Sequence, residues 1–247
     1  MKRGDIYDTK DGKLEIRVVC SADEVVCRFI DTDSFDVFSK SNIISGRVKN
    51  RNKPSVAGVG YLGYGPYKSA ENGKLTTHYM RWNGMLSRCY SPTSPAYSVY
   101  GGNGVTVCKE WHNFQNFAKW YDEYKYKEDG WHIDKDLLKK GNKVYCPEFC
   151  CIIPRQINQA LVSRTALRGE HAIGVTLDKE SNRYICQLNI GAMGNLPRKS
   201  YKTEIEAYGE YKTAKETYLV SLAYEWRGRV HPKVLRALCD YEIEWTD

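Results

Sequence analysis

The chain has 247 residues, a formal net charge of +7, 42% hydrophobic and 27% charged residues, which is the make-up of a globular protein with material for real cores. No apolar run approaches the roughly 18 residues of a membrane span. Met1-Lys2-Arg3-Gly4-Asp5 leads into no signal-peptide core, so a cytoplasmic protein with no membrane partner is expected. Nineteen tyrosines against six phenylalanines favour surfaces that use an apolar ring and a polar tip together. Nine cysteines, an odd count without a secretion signal, read as free and mostly buried thiols. Cys146, Cys150 and Cys151 would need Cys89 or Cys108 to complete a zinc site, and no CxxC pair is present, so structural zinc is not expected.

Residues 1 to 66 alternate apolar and polar positions in Leu14-Glu15-Ile16-Arg17-Val18, Val25-Val26-Cys27-Arg28-Phe29-Ile30 and Phe35-Asp36-Val37-Phe38. Asp11-Gly12 is a hairpin-turn pair. Four or five short strands of this kind predict a small β-barrel of the Src-homology-3-like type. A Gly-rich connection follows, with Gly58, Gly60 and Gly63 among its glycines. Without a following Gly-Lys-Ser/Thr it reads as an ordered linker rather than a phosphate loop.

From Thr76 the apolar residues Tyr79, Trp82, Met85, Leu86 and Cys89 recur at helical spacing. Gly101-Gly102-Asn103-Gly104 is a tight turn, Val105 to Cys108 a strand, and Trp111, Phe114, Phe117, Ala118 and Tyr121 fit a second helix. Most of these aromatics are core, which leaves Arg81, Arg88 and Lys109 as the phosphate-contacting candidates. The positive charge concentrates in this middle third, with an excess of five between 67 and 165.

Residues 131 to 158, WHIDKDLLKKGNKVYCPEFCCIIPRQIN, predict strand, loop, strand and helix, with polar groups at the end of the first strand and on the helix. Together with the lead-in TTHYMRWNGMLSRCY, YGGNGVTVCKEW and FQNFAKWY, this resembles the H-N-H endonuclease family in its phage-encoded, homing-type variant. The resemblance implies a ββα-metal finger, with Asp134 and Asn158 as ligands of Mg²⁺ or Mn²⁺ and Asp136 as a second carboxylate. Lys135 stands where the family carries its general-base His. By alternation His132 shares a face with Asp134 and is the substitute for that base or a further ligand. Lys135 and Arg155 are then expected to contact DNA. The alternative reading of the Asp-Lys-Asp triplet is a turn in which both carboxylates bind lysines or backbone donors.

The last third predicts strands at Ile173 to Leu177, Tyr184 to Ile190 and Arg198 to Tyr201, then a long helix opened by a Thr203/Glu206 capping box. Three strands and a helix, with Gly-Val in the first strand and Thr203, Ala207 and Tyr208 opening the helix, resemble the APETALA-two-type DNA-binding domain. That family reads the major groove with the sheet face turned away from the helix. Alternation assigns Tyr184, Cys186, Leu188 and Ile190 to the helix side and Arg183, Gln187 and Asn189 outward, with Arg198 or Lys199 available beside them; Ile185 is an apolar exception on the outer face. This third has no net charge, and a protein-docking sheet is the competing reading.

The expectation is therefore an α+β protein of three parts: a β-barrel over 1–66, an H-N-H-like domain over 67–165 and a sheet-plus-helix domain over 166–247. Two functions stay open. One is a metal-dependent endonuclease or nickase acting on double-stranded DNA inside a bacterial host. The other is a non-cutting binder of DNA, or of a host protein, that alters replication, repair or defence.

Overall fold

The computed structural model describes residues 1–161, 170–188 and 198–247. The chain is α+β and gathers into two compact units, residues 1–123 and 124–247. The division falls inside the stretch 67–165 that the sequence pattern groups together, and local packing gives the reason in each unit.

In the first unit β1 (Ile6–Thr9), β2 (Gly12–Val19), β3 (Val25–Phe29) and β4 (Ser34–Phe38) pair antiparallel in chain order. Strand β3 shows the period of two: Val25, Cys27 and Phe29 are buried, while Val26 and Arg28 between them stay half-exposed. The inward set meets Leu14, Ile16, Val48 and Ile43 of α1 (Lys40–Ile44) in one core. Each such fully buried side chain contributes on the order of 2 kcal/mol. The sheet is open, with β1 and β4 as its edges, and this corrects the expected barrel. No closing strand forms because the chain, held against the sheet by Val48, Asn50 and Lys53, runs on from there to the helices without pairing along an edge. Tyr61 N–H donates to the His112 carbonyl at 2.9 Å, and Phe114 N–H donates to the Tyr61 carbonyl at 2.9 Å. The Gln115 amide donates to the carbonyls of Leu62 and Tyr67. Gly60 allows the close approach, since a Cβ there would run into Leu86 and Trp82. The Gly-rich linker is thus ordered packing material.

A small hairpin, β5 (Ala70–Glu71) and β6 (Lys74–Leu75), precedes α2 (Thr77–Tyr90), which Thr76 caps by accepting the Tyr79 N–H. Strand β7 (Thr106–Val107) and α3 (Phe114–Glu123) complete the unit. Trp82, Met85 and Leu86 of α2 are buried together with Trp111, Phe114 and Phe117. The Trp82 indole donates to the Trp111 carbonyl at 2.7 Å, so this buried N–H is satisfied.

In the second unit β8 (His132–Asp134) pairs antiparallel with β10 (Cys151–Ile153). Strand β9 (Val144–Tyr145) lies between them in sequence, and α4 (Arg155–Leu161) follows β10 at once. Ile152, Ile153 and Ile157 are fully buried and fix the helix on the strand pair. Strands β11 (Val175–Asp178), β12 (Arg183–Cys186) and β13 (Lys199–Tyr201) form an antiparallel meander. Helices α5 (Glu204–Glu225) and α6 (Pro232–Cys239) follow, and the Thr203/Glu206 capping box is present. Ala207 packs on Val175 and Ala172 under the sheet. Gly174, at φ +72°, sits where a side chain would strike the Tyr211 ring. Helix α4 is tied to α5, because Gln156 accepts from the Trp226 indole at 2.9 Å and donates to Glu225 at 3.2 Å. The β8–β10–α4 part and the β11–β13–α5 part therefore share one unit. Among the described residues no helix is long and apolar enough to cross a membrane.

Candidate functional site

Register in the strand pair sets Asp134 opposite Cys151 and His132 opposite Ile153, so His132 and Asp134 leave β8 on one face. Immediately after β10, Pro154 opens the turn into α4 and its carbonyl accepts the Asn158 N–H at 3.0 Å. One helical turn in, Asn158 faces back over the strands. Its Nδ2 lies 3.3 Å from His132 Nδ1. The direction of this contact follows the ring's tautomer: Nδ1 accepts from the amide when the proton is on Nε2, and donates to the amide oxygen when the proton is on Nδ1. Strand and helix thus deliver two groups of the expected constellation to one corner.

The Asp-Lys-Asp triplet is arranged otherwise. Asp134 Oδ1 accepts the backbone N–H of Asp136 at 2.9 Å and of Leu137 at 2.7 Å, which closes the turn that ends β8. Burial pushes its carboxyl above the usual carboxylate range, against those two hydrogen bonds, which favour the charge. Burial, with Asp134 opposite, pushes the Cys151 thiol well up in turn. Lys135 is only 8% exposed. Its ammonium donates to Asp136 Oδ1 at 2.7 Å and to the Asn142 carbonyl at 3.1 Å. Asn142, also buried, returns the contact: its amide donates to the carbonyls of Lys135 and Val144, each at 2.8 Å. Lys135, expected to contact DNA, is instead a buried post inside the loop, where both Asp136 oxygens and the Asn142 carbonyl satisfy its charge. Asp136 is its ion-pair partner, half-exposed at the loop surface.

The remaining candidates divide between the units. In the first, Arg81 and Arg88 stand seven residues apart on α2, close to one helical face. The Arg88 guanidinium lies over the Tyr100 ring at 5.1 Å and its Nε is buried, while Lys109 is exposed in the short helical turn 109–112. In the second, Arg155 is exposed at the start of α4. On the sheet, pairing places Arg183 and Asp178 on the same face as Thr176, Ile185 and Ser200. Arg183 donates to the Ser200 hydroxyl and carbonyl, both at 3.1 Å; Gln187 is exposed, and Arg198 lies 3.8 Å from Asp178. Lys199 is paired in register with Cys186, on the opposite, helix-facing side, and binds Glu210 of α5 at 2.6 Å. It is a strand-to-helix tie and not part of the outer face. Asn189 lies outside the described residues. Ile185, expected outward, is buried.

A divalent ion at the corner would be held by His132 and Asn158, with Asp134 on the same strand face offering the oxygen that the turn leaves. That donor set fits an ion such as Mg²⁺, which takes one or two carboxylates and keeps its waters. Among the described residues no three His, Cys, Asp or Glu side chains form a metal-holding group, so any such site depends on the Asn158 carbonyl oxygen.

Pattern reading missed two residues of this region. Asn142 closes the loop from inside, and the Gly141-Asn142 turn was its only visible sign. Lys140 is engaged by residues about a hundred positions away, for which local sequence carries no signal: its Nζ meets Asp247 Oδ2 at 2.7 Å and the Glu242 carbonyl at 3.0 Å. Comparison of the chain with protein-family models, with curated proteins and with solved structures gave no match.

Proposed function

We propose that the chain is a DNA-binding protein built on the plan of phage H-N-H homing endonucleases, with the His132–Asn158 corner as its centre for phosphodiester hydrolysis. The observation that carries this reading is the meeting of His132 and Asn158 at 3.3 Å, one from the first strand and one from the following helix. The Asn158 side chain at Nδ1 fixes the imidazole's orientation, and the tautomer with its proton on Nδ1, donating to the Asn158 oxygen, leaves the Nε2 lone pair that a base or ligand requires. A divalent ion bound there would supply Lewis-acid stabilisation of the leaving oxygen. Asn158 orients the ring, and the Asp134 turn holds the end of the strand that presents it. The finer fold belongs to the same proposal: a ββα-metal-like finger over 131–161 and an APETALA-two-like sheet and helix from 166 onward. On that sheet Arg183, Gln187 and Arg198 are the groups available for DNA.

A second reading, a finger that grips DNA or a host protein without cutting, is favoured by the internal use of Asp134, Lys135 and Asp136. Both DNA readings require a phosphate-driven affinity. Binding to a short mixed-sequence duplex, titrated at two ionic strengths, is expected to weaken steeply as salt rises, because lysines and arginines displace counterions. Absence of binding at low salt would remove both and leave the host-protein partner.

A further inference from the structure

The segment 241–247 follows α6 and carries Glu242, Glu244 and Asp247. Its middle is fastened to α5. Ile243 is 3% exposed; its carbonyl accepts from the Tyr208 hydroxyl at 2.8 Å and from Lys212 at 2.9 Å, and its N–H donates to Glu216 at 2.9 Å. Trp245 packs on the Tyr208 ring at 4.8 Å, and its carbonyl accepts the Ile173 N–H. These contacts are made by the backbone and ring of the segment and not by its own carboxylates.

The acidic groups of the segment do something different. They reach the finger loop at Lys140, whose ammonium meets Asp247 Oδ2 at 2.7 Å, the Glu242 carbonyl at 3.0 Å and Glu244 Oε1 at 3.5 Å. The same ammonium lies 5.5 Å from the Tyr241 ring centre. Burial, with Asp247 second, raises the Tyr241 hydroxyl above its ordinary value, so this ring stands in the same contact. Lys140 lies in the exposed run of Lys139, Lys140 and Lys143 that links β8 to β9, beside the His132 corner in sequence. A lysine surrounded by a carboxylate, a second carboxylate and a carbonyl is in the environment that phosphate oxygens would provide. Lys140 and Glu244 stand at the surface, while Asp247 is largely covered and its Oδ2 also accepts the Glu244 N–H, so an ionic competitor meets the pair from the lysine side.

We propose that residues 241–247 form an acidic latch, which occupies Lys140 in place of nucleic-acid phosphate and opens when DNA takes that lysine. The Ile243 and Trp245 contacts keep the segment attached, so opening is a release of the Glu244 and Asp247 side chains from Lys140 and not an unfolding of the unit. Free chain is then partly self-blocked, and DNA must displace Asp247 and Glu244 before the loop contributes to binding. This rests on the DNA-binding reading above.

The test is the affinity of the full chain for a short mixed-sequence duplex at low salt, measured by fluorescence anisotropy. Wild type, E244Q/D247N, K140A and the triple variant are compared, with circular dichroism confirming that each is folded. Neutralising the two carboxylates is expected to tighten binding roughly two- to threefold, the gain that releasing a surface contact worth about 0.5 kcal/mol allows. In the K140A background the same neutralisation should give no gain, which separates the latch from a general change in charge. If wild type binds and E244Q/D247N binds no tighter, or the gain persists without Lys140, the latch is overturned and the DNA reading stands. If no form binds, the DNA reading fails and the latch fails with it.

Discussion

Two lysines of the loop between β8 and β9, Lys135 and Lys140, are held in opposite ways. Lys135 turns inward and is satisfied by its sequence neighbour Asp136 and by the Asn142 carbonyl, seven residues on. Lys140 turns outward and is satisfied by Glu242 and Asp247, more than a hundred residues away. The first arrangement forms with the loop itself and is part of its structure. The second requires two distant segments to dock and can be undone without disturbing either. Identical side chains five positions apart thus serve as scaffold and as exchangeable contact, and burial decides which.

This contrast can be broken most easily from the scaffold end. Asn142→Ala removes an amide that satisfies the buried Lys135 carbonyl and the part-buried Val144 carbonyl, so urea denaturation should show a loss of about 2–3 kcal/mol. A loss below about 1 kcal/mol would mean that the loop does not depend on its interior. Asp134→Ala removes the acceptor of two backbone N–H groups and is expected to cost about 1–2 kcal/mol, whereas Asp134→Asn keeps an oxygen there and should cost less.

The two Asp134 variants also carry a pH signature. The folded carboxyl is raised by burial, so the folded state holds this proton more tightly than the unfolded chain does. Ionisation therefore weakens the fold as pH rises through the raised folded value, and the wild type regains stability relative to Asp134→Asn as pH falls back through that window. Stability measured for both proteins from neutral to mildly acidic pH checks the sign, and a gap that does not change with pH would contradict it. Lys135→Met should cost about 1 kcal/mol: the apolar stem is kept, a hydrogen bond to the Asn142 carbonyl is lost, and Asp136 is exposed enough to be hydrated. Smallest of all, Lys140→Ala should change stability by no more than about 0.5 kcal/mol, as expected for a surface ion pair. A loss as large as that of Asn142→Ala would turn the latch into scaffold and erase the comparison.

The same distinction explains how much was legible in the sequence. Period-two alternation marked β2 to β4, helical spacing marked the buried face of α2, and Thr203 with Glu206 marked the start of α5, because each signal lies within a few residues. His132 and Asn158, 26 residues apart, were paired through the resemblance to a strand–loop–strand–helix family and not through a local signal. Closure of the first sheet was not legible, since it depends on where residues 46–66 travel, and Tyr61 and Gln115 draw them to the helices. Lys135 between two aspartates gave no sign of its direction. The register of β13 had to be seen before Lys199 could be assigned to the helix side and to Glu210. Ile185 broke the expected alternation by being buried on the face opposite the helix.

The reading as a whole rests on the His132–Asn158 corner, and the most direct measurement is conversion of supercoiled plasmid by the purified chain with Mg²⁺ or Mn²⁺. Metal-dependent nicking or linearisation is expected, lost in His132→Ala and in Asn158→Ala while both variants still bind DNA, since neither removes the basic surface. Intact plasmid under every metal would contradict the hydrolytic claim. Cutting that survives both substitutions would place the chemistry elsewhere in the chain.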